Sequence, residues 1–334
     1  MFEFGRSIVI KNRKTIDIQM KNLFKTCMAL VLSVGLLSSC SDDDVETPQT
    51  VVDIASSRAD MTILVDALQR TGLVSTLVAQ PQLTVFAPNN AAFQALLDGN
   101  DDWDSLDDIP TTTLSNILKF HVLGARVTAG QLSDTYVSTL ATGPNDEPLS
   151  LQVETTGGVA FNGSAEPLET DIEGGNGVIH VIDRVMMLPT VVNKALENPD
   201  FSILVQALTD SRLSTDLVAL LSSDGPFTVF APTNEAFQRL LDSDDSWNSL
   251  ADIPAGTLEA VLTYHVVSNA NVQSDQLSND QVVPTANGAD ITIDLTGTPK
   301  VESDSNQSID ILLTDIQAVN GVIHVINNVL LPAG

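Results

Sequence analysis

Four histidines carry most of the chemistry this sequence could offer, and they come in two matched pairs. His121 and His265 lie 144 positions apart, as do His180 and His324. Within each half of the chain the two imidazoles are 59 positions apart. With a nearby carboxylate they could begin a zinc site or supply a general base. Zinc needs three or four convergent donors, and the chain has no HExxH, HxH, GxSxG, P-loop or GxGxxG segment. The spacing around the histidines points elsewhere. Leu258, Val261, Leu262 and His265 fall at i, i+3, i+4 and i+7, the apolar stripe of one helix, and Leu114, Ile117, Leu118 and His121 repeat it. His180 shares a strand face with Val178 and Ile182, as His324 does with Val322 and Ile326. Such histidines are core residues whose ring nitrogens find backbone or side-chain partners. The expectation is no catalytic residue, no metal and no cofactor, with a metal-dependent hydrolase as the minor alternative.

The acidic loops Asp98-Gly99-Asn100-Asp101-Asp102-Trp103-Asp104 and Asp242-Ser243-Asp244-Asp245-Ser246-Trp247 begin like a calcium hand, with oxygen donors first, third and fifth. The sixth position, which needs glycine for its turn, is Trp103 or Trp247. The twelfth, which needs a bidentate glutamate, is Ile109 or Ile253. The calcium pattern fails, which leaves polar inter-helix loops with each tryptophan packed on its own domain. Two Tyr and two Trp are too few for a row of sugar-binding platforms.

The elements that position these residues are duplicated. From Thr84 and Thr228 onward, 24 of 40 positions are identical, and 176–182 and 320–326 both read NGVIHVI. A repeat of this length is a whole domain rather than a solenoid unit. Domain one is placed at 51–189 and domain two at 190–332, each large enough to bury about two-thirds of its unfolded surface. No flexible spacer separates Met187-Leu188-Pro189 from Val191-Val192, so relative motion is restricted. Each unit starts helical, with Asp60 and Asp200 in N-cap position before Ile63-Leu64-Ala67-Leu68 and Ile203-Leu204-Ala207-Leu208. A short buried strand, 84–87 or 228–231, is stopped by Pro88 or Pro232. Alternating Leu149, Leu151, Val153 and Ile291, Ile293, Leu295 then predict strands. Asn162-Gly163 and Asn287-Gly288 are among the turn signals between them. Helices first and strands afterwards make each unit α+β.

Residues 1–39 are a leader and signal peptide. Lys21 and Lys25 precede an apolar run from Cys27 to Leu37 that is too short to span a bilayer. Leu37-Ser38-Ser39-Cys40 resembles a bacterial lipobox, which implies lipidation of Cys40 and firm attachment by several acyl chains. Residues 40–50 form an acidic tether. Its Ser41-Asp42-Asp43-Asp44 resembles the run that sends some Gram-negative lipoproteins to the outer face of the outer membrane, the alternative being a periplasm-facing protein. From Cys40 onward there are 9 Lys+Arg against 41 Asp+Glu. That surface repels nucleic acid and anionic lipid, so membrane contact is through the anchor alone. With Cys27 inside the signal, no disulfide or cysteine site is available.

TVFAPTNEAF, the Tyr264-His265 pair, and NGVIHVI followed by an apolar run and a proline resemble the three hallmark segments of the fasciclin domain. The resemblance covers both units nearly end to end. It implies a β-sandwich wedge with packed helices, in which His121, His180, His324, Pro88, Pro232, Asn176 and Asn320 are structural motif positions. It also implies a non-enzymatic adhesion or matrix-binding role, the partner being an extracellular protein or glycan on another cell or matrix. In some animal members the Tyr-His segment contacts receptors. Leu262, Tyr264, His265 and Val266 resemble it, whereas domain one has Phe120-His121 and lacks the hydroxyl. Domain two is therefore the expected contact. A periplasmic structural or glycan-capture accessory lipoprotein is the alternative.

Overall fold

The computed structural model describes residues 48–333; Cys40, the leader and the Ser41–Asp44 run lie outside the described residues. Domain one opens with α1 (Val51–Ser57), α2 (Thr62–Thr71) and α3 (Val74–Ala79), followed by β1 (Leu83–Pro88), α4 (Asn90–Asp98), α5 (Thr111–Phe120) and β2 (Val122–Leu123). Its second half is β3 (Thr135–Thr142), β4 (Pro148–Glu154), β5 (Ala160–Phe161), β6 (Pro167–Gly174) and β7 (Gly177–Ile182). Domain two repeats the plan: α6 (Val191–Glu197), α7 (Ser202–Leu208), α8 (Leu217–Leu221), β8 (Phe227–Pro232), α9 (Asn234–Asp242), α10 (Ala255–Tyr264) and β9 (Val266–Ser268). It ends with β10 (Gln281–Pro284), β11 (Asp290–Asp294), β12 (Lys300–Ser303), β13 (Ser308–Ala318) and β14 (Gly321–Ile326).

In both domains the TVFAP strand runs parallel to the NGVIHVI strand: Phe86 opposes His180 and Phe230 opposes His324. Both strands are buried along their whole length, as continuous apolar runs require. Helices pack on one face of this central pair and a second β layer on the other. Domain one therefore has a helix-side core around Phe93, Leu64 and Ile179, and a sandwich core around Phe86, Phe120 and Phe161. Domain two has the same two cores around Phe237 and Phe230. In domain one the layers are separate sheets, β2-β1-β7-β6 and β3-β4-β5. In domain two the eleven-residue β13 passes through both layers and joins them into one sheet, β10-β11-β12-β13-β14-β8-β9.

The helix starts differ from expectation. Asp60 and Asp200 lie within 3-10 turns and do not cap the helices that follow. The amide of Ile63 instead donates to Asn90 Oδ1 at 3.0 Å, and that of Ile203 to Asn234 Oδ1 at 2.9 Å. The first residue of α4 or α9 thus caps a helix some thirty positions earlier, a tertiary cap that local spacing does not reveal. Pro88 and Pro232 end their strands as expected, with Asn89 and Thr233 as the next N-caps. No helix among the described residues is long and apolar enough to cross a membrane.

Candidate functional site

The hallmark side chains are built into the core. His121 Nδ1 lies 2.7 Å from the Ile117 carbonyl and Nε2 accepts from the Met186 amide at 2.9 Å. His265 does the same with Val261 and Leu330, at 2.7 and 2.9 Å. Both rings are therefore neutral, with the proton on Nδ1, and burial pushes each down to about 4. His180 and His324 place Nε2 at 2.9 Å from the Val127 and Val272 carbonyls, and their Nδ1 atoms accept from the bulge amides of Asp171 and Asp315. Burial lowers His324 as well. Each histidine ties a strand or helix to a loop. Asn176 and Asn320 cap the opening helices through the amides of Val51 and Val191, both at 2.9 Å. Their amide groups reach Leu77 O and Leu221 O at 2.8 Å. Trp103 and Trp247 pack against the helix-side cores. Among the described residues no group of three or more His, Cys, Asp or Glu is placed to hold a metal ion.

The expected partner contact takes a different form here. Tyr264 is 0% exposed, His265 and Leu262 3%, and Val266 5%. The Tyr264 hydroxyl donates to Asp290 O at 2.6 Å and accepts from the Asp304 amide at 3.0 Å, pinning the second β layer to α10. As an exposed contact the segment is corrected: with these side chains in the core, a partner reaches them only by displacing β11 and the turn after β12. The missing hydroxyl of Phe120 removes that pin in domain one and exposes no surface there either.

Sequence reasoning missed the surface between the domains. Leu149, Leu151 and Val153 point into domain one, but Ser150 and Gln152 on the opposite face of β4 are also buried, at 6% and 5%. The amide of Gln317 in β13 donates to Ser150 Oγ at 2.9 Å. Gly143 fits against domain two because a Cβ there would lie 2.7 Å from Ala318 O. Tyr136 packs on the helix-side core of domain two and Val319 on the sandwich core of domain one. At the centre, Lys194 of α6 is completely buried. Its Nζ lies 3.0 Å from Asn162 Oδ1, 3.7 Å from Glu197 Oε2, and 5.9 and 5.7 Å from the ring centres of Phe120 and Tyr136. Desolvation pushes Lys194 down to about 8 and Glu197 up to about 7. One signal was readable in the sequence: Lys194 in Thr-Val-Val-Asn-Lys stands where domain one has Ile54 in Thr-Val-Val-Asp-Ile.

Beside this contact opens a cleft of about 590 Å³, walled by β3 and β4 of domain one and by the start of domain two. Asp134, Tyr136 and Glu154 line one side, and Asn198, Asp200 and Phe201 the other. Asn198 Nδ2 donates to the Tyr136 hydroxyl at 3.1 Å across the cleft. Gln152 Nε2 holds Glu154 Oε1 at 2.6 Å. Asp134 is fixed by Thr155 and Thr156, whose hydrogen bonds pull its carboxyl down to about 2. These walls are acidic, with Tyr136 from domain one and Phe201 from domain two as their aromatic rings.

The fasciclin domain model matches this chain twice, over residues 59–189 and 199–332. The chain belongs to the fasciclin-domain family. An uncharacterized protein of Synechocystis is 39% identical over 144 residues, covering 43% of this chain and 98% of its own length. Human periostin is 29% identical over 261 residues, and pig transforming growth factor-beta-induced protein ig-h3 is 27% identical over 249. Each of these two alignments covers 75% of this chain but only 28% and 34%, respectively, of the longer relative. A solved FAS1 domain pair from the insect cell adhesion molecule fasciclin I aligns with 80% of this chain and 95% of its own, at 20% identity and a TM-score of 0.47. Tandem fasciclin domains are known in adhesion proteins, which supports a binding or adhesion module role for this pair.

Proposed function

We propose that this chain is a non-enzymatic cell-surface lipoprotein, anchored through Cys40, whose two domains act as one adhesive body. Its partner is an extracellular protein or glycan on another cell or matrix, engaged at the cleft between the domains. The observation that carries the reading is the cleft itself: both domains wall it, and the buried contact behind it fixes their spacing. A preformed concave surface binds without the ordering cost that two freely hinged domains would meet. The lipobox resemblance at Leu37–Cys40 and the acidic Ser41–Asp44 run support lipid attachment and outward display.

Two arms test this. Protease treatment of intact cells should remove the protein rapidly, and replacing Ser41–Asp44 should protect it. Protection of the unaltered protein in cells with intact outer membranes would contradict outward display. In cells that keep normal surface levels, Asp200→Lys with Glu154→Lys should reduce adherence at least tenfold, taking roughly 1.4 kcal/mol per tenfold loss. Unchanged adherence would move the contact away from the cleft.

A further inference from the structure

We propose that Lys194 and Asn162 form an intramolecular isopeptide bond that joins the two domains covalently. The amine and the carboxamide come from different domains and sit 32 positions apart in the chain, yet Nζ lies in hydrogen-bond contact, 3.0 Å, with Asn162 Oδ1. That contact leaves the nitrogen one atom away from the amide carbon. Both side chains are at least nine-tenths buried, Lys194 at 0% and Asn162 at 5% exposed. Among the described residues, Asn162 Nδ2 and Glu197 Oε2 are buried with no hydrogen-bond partner. A buried amide nitrogen without an acceptor is unusual and calls for a cause. Here it is the group that would leave.

The surroundings supply the rest. The Gln152 amide donates to Asn162 Oδ1 at 3.0 Å, so it polarises the carbonyl and would stabilise the oxyanion formed on attack. Asn162 is held in the left-handed region, φ 47°, and its own amide donates to Gln152 O at 2.9 Å. The residue is thereby anchored through its backbone amide and its carboxamide oxygen, as a near-attack geometry requires. Phe120 and Tyr136 exclude water from the amine. Among the described residues, Glu197 Oε2, 3.7 Å from Nζ, is the one carboxylate paired with it. Burial favours the neutral amine and the protonated acid, the two forms the reaction starts from.

The bookkeeping of atoms is simple. Neutral Nζ attacks Asn162 Cγ, forming the Nζ–Cγ bond. Glu197, protonated at the start, gives its proton to Nδ2 and takes one in return from Nζ, so it ends as the acid again. The Cγ–Nδ2 bond then breaks with its electron pair on nitrogen, and ammonia departs. One amine and one primary amide become one secondary amide and one ammonia, with no oxidant, metal or nucleotide consumed. The product closes a loop across the domain junction, so the chain cut at Arg184 would still hold together.

Peptide mapping of the purified, fully denatured chain tests this directly. Trypsin cuts after Arg126, Arg184, Lys194 and Arg212. The bond predicts that peptide 127–184 is joined to an uncut 185–212, with a mass about 17 Da below the sum of the two, the mass of one ammonia. Lys194→Met should abolish the joined species, and Glu197→Gln should abolish or greatly slow its formation; a fully joined Glu197→Gln protein would remove Glu197 from the chemistry. Recovery of separate 127–184, 185–194 and 195–212 from the unaltered protein would overturn the proposal. So would a 127–184 peptide that is lighter by the same mass but unjoined, the mark of a cyclic imide at Asn162-Gly163.

Discussion

The helix that opens each domain follows the same Thr-Val-Val start, and the two copies part company at the next residue. Domain one continues Asp53-Ile54; domain two continues Asn193-Lys194. Ile54 is half-buried against its own helix-side core. Lys194 points out of its domain into domain one and is sealed there between Phe120, Tyr136, Asn162 and Glu197. A second contrast lies in the strands: β6 belongs only to the central sheet, while β13 runs on into the second layer and lays its edge against β4 of domain one. The duplicated core makes two folded units, and the few positions where the copies differ make them one.

The largest effect should come from breaking that difference. Lys194→Ala removes the side chain that crosses into domain one and leaves Glu197 buried without a partner, which should cost about 3–5 kcal/mol in denaturant unfolding. Ile54→Ala, the matched change in domain one, should cost only about 2 kcal/mol. Equal losses would mean that Lys194 is no more than a helix residue.

The cores should respond to acid alike, and unlike the junction. His121 and His265 have folded values near 4, below the ordinary 6.5. The unfolded chain therefore binds protons first, and stability falls as pH drops from 6.5 to 4, by about 3 kcal/mol per histidine. Glu197, raised to about 7, has the opposite sign: its penalty grows as pH rises from 4.5 to 7. Urea midpoints at pH 7 and pH 4.5 should fall in the native protein, and fall less when His121 or His265 is replaced by Gln.

Smaller effects sharpen the internal contrasts. Tyr264→Phe makes domain two resemble domain one; the loss of the bonds to Asp290 and Asp304 should cost about 1–2 kcal/mol. Asn90→Ala and Asn234→Ala should each cost about 1 kcal/mol through the lost tertiary caps. The two should match within error, because both domains use the same device.

The duplicated domains, the α+β class and the buried positions of the histidines could be read in the sequence, because each rests on local periodicity or on the repeat. The junction could not. Ser150 and Gln152 alternate with Leu149, Leu151 and Val153 as a water-facing row would, and the strand that covers them lies 165 positions away. Tyr264 was assigned to the surface by resemblance, but the last turn of α10 rotates it beneath β11. Asp60 and Asp200 had the right residue type and spacing for a cap and were displaced by Asn90 and Asn234 from another helix. In each case the deciding contact is long-range.

One tryptophan per domain makes the claim of a single body measurable. In Trp103→Phe the fluorescence reports domain two, and in Trp247→Phe it reports domain one. For each protein, fluorescence and far-ultraviolet circular dichroism should trace one coincident unfolding transition, which separates into two when Lys194→Ala is added. Two separated transitions with Lys194 in place would contradict the account, for the domains would then be neighbours and not one unit.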